Sequence, residues 1–299
     1  MPLTTTTAVP LYWTSYGPAG APRLLVLHGG PGASHDYLLP QMLELADRYQ
    51  LVFYDQRGSG RSRTSDQSPV TWRTHVEDLA RLIPELGLDP VSMVGYSWGG
   101  LLALLYAIEA YRGSAPRPAR MVVIDPAPIS RTLRDTFEAE FARRQNSEAV
   151  ANLRHELAAS GLRERDPEAY RQRAFELSVA GYFGRLERAR ALTPFRVIAR
   201  IQQSVWSSLG DYDLRKGLQT VQCPTLVIHG RLDPIPLESS EQATRALPHA
   251  RLVVLDGSGH VPYVEEPDAL FAAIRRFLDE TASLASPSSP PPEAPHERT

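Results

Sequence analysis

Short aliphatic runs recur along this chain, each followed by a turn or a polar break. They fall at 24–27, 51–54, 91–94, 121–124, 225–228 and 252–255, with little alternation of polar and apolar positions inside them. Strands buried on both faces read this way, and such strands belong to parallel sheets. Between them lie helical patterns. In 72–86 the apolar positions Val76, Leu79, Ile83 and Leu86 share one helix face, and Gly87 stops the helix. The stretch 101–111 is apolar nearly all round, which predicts a buried helix, and 269–278 predicts a closing helix with Pro267 near its start. The segment 9–16 predicts one or two antiparallel edge strands. Strand–helix alternation of this kind predicts an α/β fold with a mostly parallel central sheet and helices on both faces.

The alternation breaks between about 129 and 215. That stretch is helical in pattern and crowded with Arg and Glu. Most of those charges belong on solvated helix faces, but the placement suits a helical cap inserted between two core strands. The expected organisation is a core of 1–127 and 216–282, a cap of 128–215, and a disordered Ser/Pro/Ala/Glu tail over 283–299.

Composition narrows the function classes. Of 299 residues, 32 are basic and 34 acidic, a net charge of −2 that argues against a general nucleic-acid binder. No apolar run reaches the ~18 residues of a membrane span. Residues 1–10 lack a basic region followed by an apolar stretch, so no signal peptide is expected and the cytoplasm is the default location. The single cysteine, Cys223, excludes an intramolecular disulfide and a multi-cysteine metal site, and it reads as a buried, inert thiol.

The chemistry starts at Gly95-Tyr96-Ser97-Trp98-Gly99, a G-x-S-x-G between a strand and a helix. A turn this sharp strains the serine backbone, exposes its Oγ at a helix N-terminus, and needs glycines so that strand and helix do not collide. Ser97 is therefore the candidate nucleophile. A hydroxyl needs a base. His260 directly follows the strand at 252–255, at the edge where parallel strands present ligand sites. His229 reads as a structural turn residue instead. The imidazole needs a carboxylate to hold its tautomer. Asp233, after the strand at 225–228, is the first candidate, and Asp125, after 121–124, is the rival, read otherwise as capping the entry to the cap. An acyl-transfer site also needs two N–H donors for the oxyanion. Gly30, in His28-Gly29-Gly30-Pro31-Gly32, and Trp98 are assigned to it, with a cis bond expected before Pro31 and His28 in a structural role.

The chain resembles proline iminopeptidases and related aminopeptidases of the α/β-hydrolase fold. The resemblance rests on H-G-G-P-G followed by Ser34-His35-Asp36-Tyr37-Leu38, on Asp55-Gln56-Arg57-Gly58-Ser59-Gly60-Arg61-Ser62, on Gly95 to Gly100, and on Gly257 to Pro262. It covers roughly 10–127 and 216–280. It implies acyl transfer by Ser, His and Asp with no metal and no organic cofactor, and it makes 55–62 a structural turn that holds His28 and the oxyanion loop. It also implies glutamates near the cap that bind the substrate's free amine. At the position of one of these, upstream of Asp211-Tyr212-Asp213, this chain has Gln202, which supplies no charge; Glu138, Glu140, Glu176 or Glu187 are the alternatives. The expected substrate contacts are Gly29, Gln202, Trp206, Glu138 and Val261.

The leading expectation is a serine hydrolase that releases N-terminal residues from short peptides or amides. The alternatives are a carboxylesterase, lactonase or carbon–carbon bond hydrolase with the same triad and, remotely, a non-catalytic ligand receptor. Activity is expected to fall as His260 protonates near an unperturbed pKa of ~6.5.

Overall fold

Every aliphatic run becomes a strand in a computed structural model of the chain, which describes residues 2–64, 70–113 and 115–285. The strands are β1 Trp13–Tyr16, β2 Arg23–Leu27, β3 Gln50–Tyr54, β4 Val91–Tyr96, β5 Pro118–Ile124, β6 Thr225–Gly230 and β7 Ala250–Leu255. They form one sheet in the order β1-β3-β2-β4-β5-β6-β7. All neighbours from β3 to β7 pair in parallel; β1 pairs antiparallel with β3. Of the expected edge segment 9–16, only the second half is a strand, preceded by a single bridge between Leu3 and Tyr12.

The lack of alternation in the runs has a plain cause. Successive side chains of a strand point to opposite faces, and both faces here are covered. Leu25, Leu27, Met93, Met121, Val123 and Val227 enter one apolar cluster. Leu24, Val26, Val94, Val122, Ile124, Leu226 and Ile228 enter the other. Each such side chain contributes roughly 1.5–3 kcal/mol by leaving water. The hydroxyls in the runs are paired: Ser92 accepts a hydrogen bond from Arg120 Nε at 2.9 Å, and Thr225 donates to Cys223 O at 3.1 Å.

The helices flank this sheet. α1 Trp72–Glu85 begins in a capping box between Thr71 and Thr74, and buries Val76, Leu79 and Ile83 as the spacing predicts. α2 Trp98–Arg112 starts three residues before the apolar pattern does and is buried nearly all round. Then come α3 Arg131–Gln145, α4 Glu148–Ala159, α5 Leu162–Arg165, α6 Pro167–Ser178 and α7 Ala199–Leu209, with 3₁₀ turns at Ala180–Tyr182 and Leu186–Ala191. α8 Arg215–Leu218, α9 Leu237–Ala246, α10 Pro262–Glu265 and α11 Pro267–Ala285 complete the order.

The helices α3 to α7 all lie between β5 and β6. Their segment leaves and returns at one point, where Arg131 N–H donates to Tyr212 O at 2.8 Å and Leu214 N–H to Ile129 O at 2.9 Å. α3 is capped by the Ser130 hydroxyl, which accepts the Leu133 N–H. Asp125, read from sequence as the cap of this entry, is not the capping residue. α11 carries helical backbone to Ala285, into the first residues of the tail expected from 283; the rest of that tail lies outside the described residues. No helix among the described residues is long and apolar enough to cross a membrane. Cys223 is buried just before β6, and burial pushes its thiol up to about 11.

Candidate active site

All the candidate side chains sit beyond the carboxyl ends of the parallel strands. Ser97 follows β4 with φ 53° and ψ −119°, a conformation that costs a non-glycine residue roughly 1–3 kcal/mol. The surroundings hold it there. Ser97 N–H donates to Ile124 O at 2.9 Å, and its carbonyl accepts N–H groups of Gly100, Leu101 and Ala127 at 2.9, 3.1 and 3.0 Å. The motif glycines are steric necessities: a Cβ on Gly95 would stand 2.4 Å from Gly99 O, and one on Gly99 would stand 2.1 Å from Leu27 O.

Two loops bring the imidazole and carboxylate to this hydroxyl. His260 Nε2 lies 2.9 Å from Ser97 Oγ, and its Nδ1 lies 2.7 Å from Asp233 Oδ2. The other Asp233 oxygen accepts the Ile235 N–H at 2.7 Å, so the carboxylate is pinned at both ends. The His260 backbone is held as well: its N–H donates to Tyr182 O at 2.8 Å, and Tyr96 Oη donates to its carbonyl at 2.9 Å. The Tyr182 ring stacks on the imidazole at 5.0 Å between centroids, and the Tyr96 ring lies at 5.3 Å. Glu265 accepts the N–H of Gly259 at 2.7 Å and of Arg185 at 2.9 Å, tying the His260 loop to the segment between β5 and β6. Burial lowers the His260 pKa to about 4, so the ring is a neutral base at pH 7, and burial pushes the Asp233 carboxyl upward.

The His28–Gly32 turn lies opposite. Ala33 N–H donates to Gly30 O at 2.8 Å, and Gly32 has φ +93°, the pattern of a type II turn with Pro31 and Gly32 at its centre. The bond before Pro31 is not cis; among the described residues the cis bonds are Leu39–Pro40 and Asp89–Pro90. The positive φ of Gly30 and Gly32 makes the turn without one. Gly30 faces Ser97 and His260 across open space, and Trp98 N–H begins α2 beside the serine. Gln56 links the two donors' carriers: its Nε2 donates to His28 O and its Oε1 accepts Trp98 Nε1, both at 2.8 Å. His28 is fully buried, with Nδ1 on Gly29 O at 2.9 Å and Nε2 accepting Gln56 N–H at 3.1 Å, and burial holds it at about 4. Asp55 is buried yet held at about 2, because His35 and Arg61 N–H hydrogen-bond it. The 55–62 turn thus touches the oxyanion loop as a scaffold.

The space in front of Ser97 has two lobes. One, about 330 Å³, is lined by Tyr37, Tyr96, Phe141, Phe175, Val179, Tyr182, Phe195, Val261 and Tyr263, so it is largely aromatic. The other, about 370 Å³, is lined by Arg134, Phe137, Glu138, Gln203, Trp206 and Ser207. Gln202 borders both. Four of the expected contacts therefore face the site. Gly29 does not: its N–H donates to Tyr37 Oη at 2.7 Å, and a Cβ there would stand 2.9 Å from both Ser97 Cβ and Tyr37 Oη, so its role is to let the loop lie against those two side chains. Glu140 pairs with Arg143 and Arg144, Glu176 with Arg173, and Glu187 is exposed; none lines either lobe. Glu138 lines one, but Arg134 pairs with it at 2.7 Å while lying 4.3 Å over the Trp206 ring.

Asp125 lies behind Asp233. One oxygen of each and a ring nitrogen of His229 stand within 4.8 Å of one another. Both His229 nitrogens are engaged within the protein, Nε2 with Ile235 O at 3.1 Å and Nδ1 with Ser240 Oγ at 2.8 Å, which leaves it no free lone pair for a metal. Tyr37 and Tyr182 have contacts at the site that sequence reasoning did not assign. Tyr37 lies within the Ser34–Leu38 motif, so its position was visible and its partner was not. Tyr182 sits on an isolated 3₁₀ turn with no periodicity to mark it.

Residues 22–267 match the model of the alpha/beta hydrolase fold family. The chain is 30% identical over 297 residues to a proline iminopeptidase of Saccharolobus solfataricus, covering 92% of this chain and 90% of that protein. Among solved structures it shares its fold with a proline iminopeptidase of Mycobacterium smegmatis, with a TM-score of 0.70 at 23% identity over 95% of this chain and 99% of that one. It shares it also with an enol-lactonase of Burkholderia xenovorans, with a TM-score of 0.66 at 20% identity over 93% and 100%.

Proposed function

The chain belongs to the α/β-hydrolase fold family and is a hydrolase; from that premise we propose that it works through an acyl-enzyme on Ser97 and releases N-terminal residues from short peptides or amides. The observation that carries the mechanism is the unbroken line from Ser97 Oγ to His260 Nε2 at 2.9 Å and from His260 Nδ1 to Asp233 at 2.7 Å. His260 takes the hydroxyl proton as Ser97 Oγ attacks the carbonyl carbon. Asp233 keeps the proton-bearing nitrogen on its own side and stabilises the imidazolium. The N–H groups of Gly30 and Trp98 receive the oxyanion, each worth about 3 kcal/mol to the transition state. The imidazolium then protonates the leaving amine. Water, activated by the same imidazole, frees the acid. The segment 128–215 acts as a cap that walls both lobes.

The substrate reading is supported by the 30% identity to a proline iminopeptidase and by the carboxylate of Glu138, beside Gln202 and Gln203, in a lobe that reaches Ser97. One observation favours a second reading. Arg134 already pairs with Glu138, which leaves that lobe near neutral, and the other lobe is aromatic. A short ester or lactone suits such a site without any amine.

Turnover of prolyl-naphthylamide, of its N-blocked form and of short p-nitrophenyl esters separates the two. The aminopeptidase reading expects the free amine to be required. Equal turnover of the free and blocked amides overturns the aminopeptidase reading, and turnover of the esters alone moves the assignment to an esterase. Labelling by a fluorophosphonate should occur in the wild type and vanish in Ser97→Ala; equal labelling of both removes Ser97 from the mechanism.

A further inference from the structure

Two carboxyls share one dry pocket behind His260. Asp125 directly follows β5, is fully buried, and has φ +42°, a conformation that Asp and Asn tolerate better than most residues. Its Oδ1 accepts the Gly230 N–H at 2.7 Å, and its Oδ2 is buried with no hydrogen-bonding partner. An oxygen of Asp233 is within 4.8 Å. No cation within the cluster balances a second negative charge, because His229 is neutral: its Nε2–H donates to Ile235 O, its Nδ1 accepts from Ser240, and burial lowers it to about 4. Two carboxylates this close, cut off from water, do not both stay ionised.

The donors around each carboxyl decide which one carries the charge. Asp233 receives His260 Nδ1 and the Ile235 N–H, each at 2.7 Å, and feels the guanidinium of Arg144, which is anchored on the Leu232 carbonyl. Asp125 receives one N–H, from Gly230. The charge therefore settles on Asp233.

We propose that Asp125 is a positioning residue that holds the pair's proton and, as a neutral acid beside Asp233, keeps Asp233 the single ionised carboxylate facing His260. The proton lies between the two carboxyl groups, whose side chains are close enough to share one. This rests on the reading of Ser97, His260 and Asp233 as a relay. It explains why a buried polar atom is left without a partner directly behind the relay, and why a residue at positive φ is an acid and not a glycine.

The test compares Asp125→Asn and Asp125→Ala with wild type, on whichever substrate above the wild type turns over. Infrared spectra at pH 7 should contain a protonated-carboxyl C=O band in wild type that is absent in Asp125→Asn. That variant should keep a kcat close to wild type, because the amide N–H donates in place of the acid and Asn accepts the same φ. Asp125→Ala should lose roughly 10- to 100-fold in kcat, the loss expected when one hydrogen bond to a charged group goes. Its KM should change little, and its acid limb should move to higher pH as Asp233 becomes easier to protonate.

The proposal is overturned if the band survives in Asp125→Asn, if Asp125→Asn falls as far as Asp125→Ala, or if Asp125→Ala keeps full kcat. Should Asp125→Ala fail to fold, the band and the Asn variant still decide. Ser97→Ala distinguishes the two levels of failure. Full turnover in Ser97→Ala defeats the relay reading and the Asp125 role with it. A dead Ser97→Ala with a band that persists in Asp125→Asn defeats the Asp125 role alone.

Discussion

At the scale of single residues, burial is what the sequence could not weigh. His260 as a residue type suggests an acid limb near ~6.5. In the folded chain it is buried between the rings of Tyr96 and Tyr182, and its pKa falls to about 4. A base with a lowered pKa stays neutral further into acid. The rate should therefore hold level from pH 7 through about pH 6 and fall only below about pH 5. A kcat/KM profile with its limb at 6.5 or above would contradict this environment. The same reasoning applies to Cys223, whose thiol is pushed up to about 11. It should resist alkylation at pH 8 until the protein unfolds, which mass spectrometry reads directly.

At the scale of elements, two close approaches set the site. α2 meets β2 at Gly99, where a Cβ would stand 2.1 Å from Leu27 O and 2.7 Å from His28 O, both backbone. Gly99→Ala should cost about 3 kcal/mol or more, since neither element can shift alone. Gly30→Ala meets nothing nearer than 3.5 Å and bears only the strain of φ +54°, about 1–2 kcal/mol. Denaturant unfolding of the two variants should rank them in that order. The second approach is the turn Ala180–Tyr182 against the His260 loop. Tyr182→Leu keeps the carbonyl that accepts His260 N–H but loses the ring stacked at 5.0 Å. An aromatic pair is worth about 0.5–1.5 kcal/mol, so kcat should drop roughly 2- to 10-fold while global stability changes little. An unchanged kcat would show that the loop is held by its backbone alone.

At the scale of the whole molecule, the sheet buries histidines as well as aliphatics, and this links stability to pH. His28 and His75 are buried, and burial lowers them to about 4 and about 3. Unfolded histidines bind protons near 6.5, so between that value and the folded pKa the unfolded state holds more protons and stability falls as pH falls, by about 1.4 kcal/mol per unit for each. Buried carboxyls with raised pKa, Asp125 among them, act in the opposite sense. The histidine share is isolated by comparing wild type with His75→Gln. The variant's stability relative to wild type should improve steadily from pH 6.5 to pH 4; a constant difference would mean that His75 is protonated in the fold. Much of this architecture was legible in the chain. The strands, α1, the nucleophile turn with its glycines, and the order Ser97, Asp233, His260 are local patterns, because burial on two faces leaves unbroken aliphatic runs and a sharp turn demands glycine wherever it occurs. Three-dimensional packing decided the rest. It placed Asp125 behind Asp233 and not at the head of α3, laid Arg134 over the Trp206 ring, and stacked Tyr182 on His260. Those contacts join elements far apart in the chain, and no short-range pattern records which side chain will meet which partner once the sheet and the helices between β5 and β6 have closed around them.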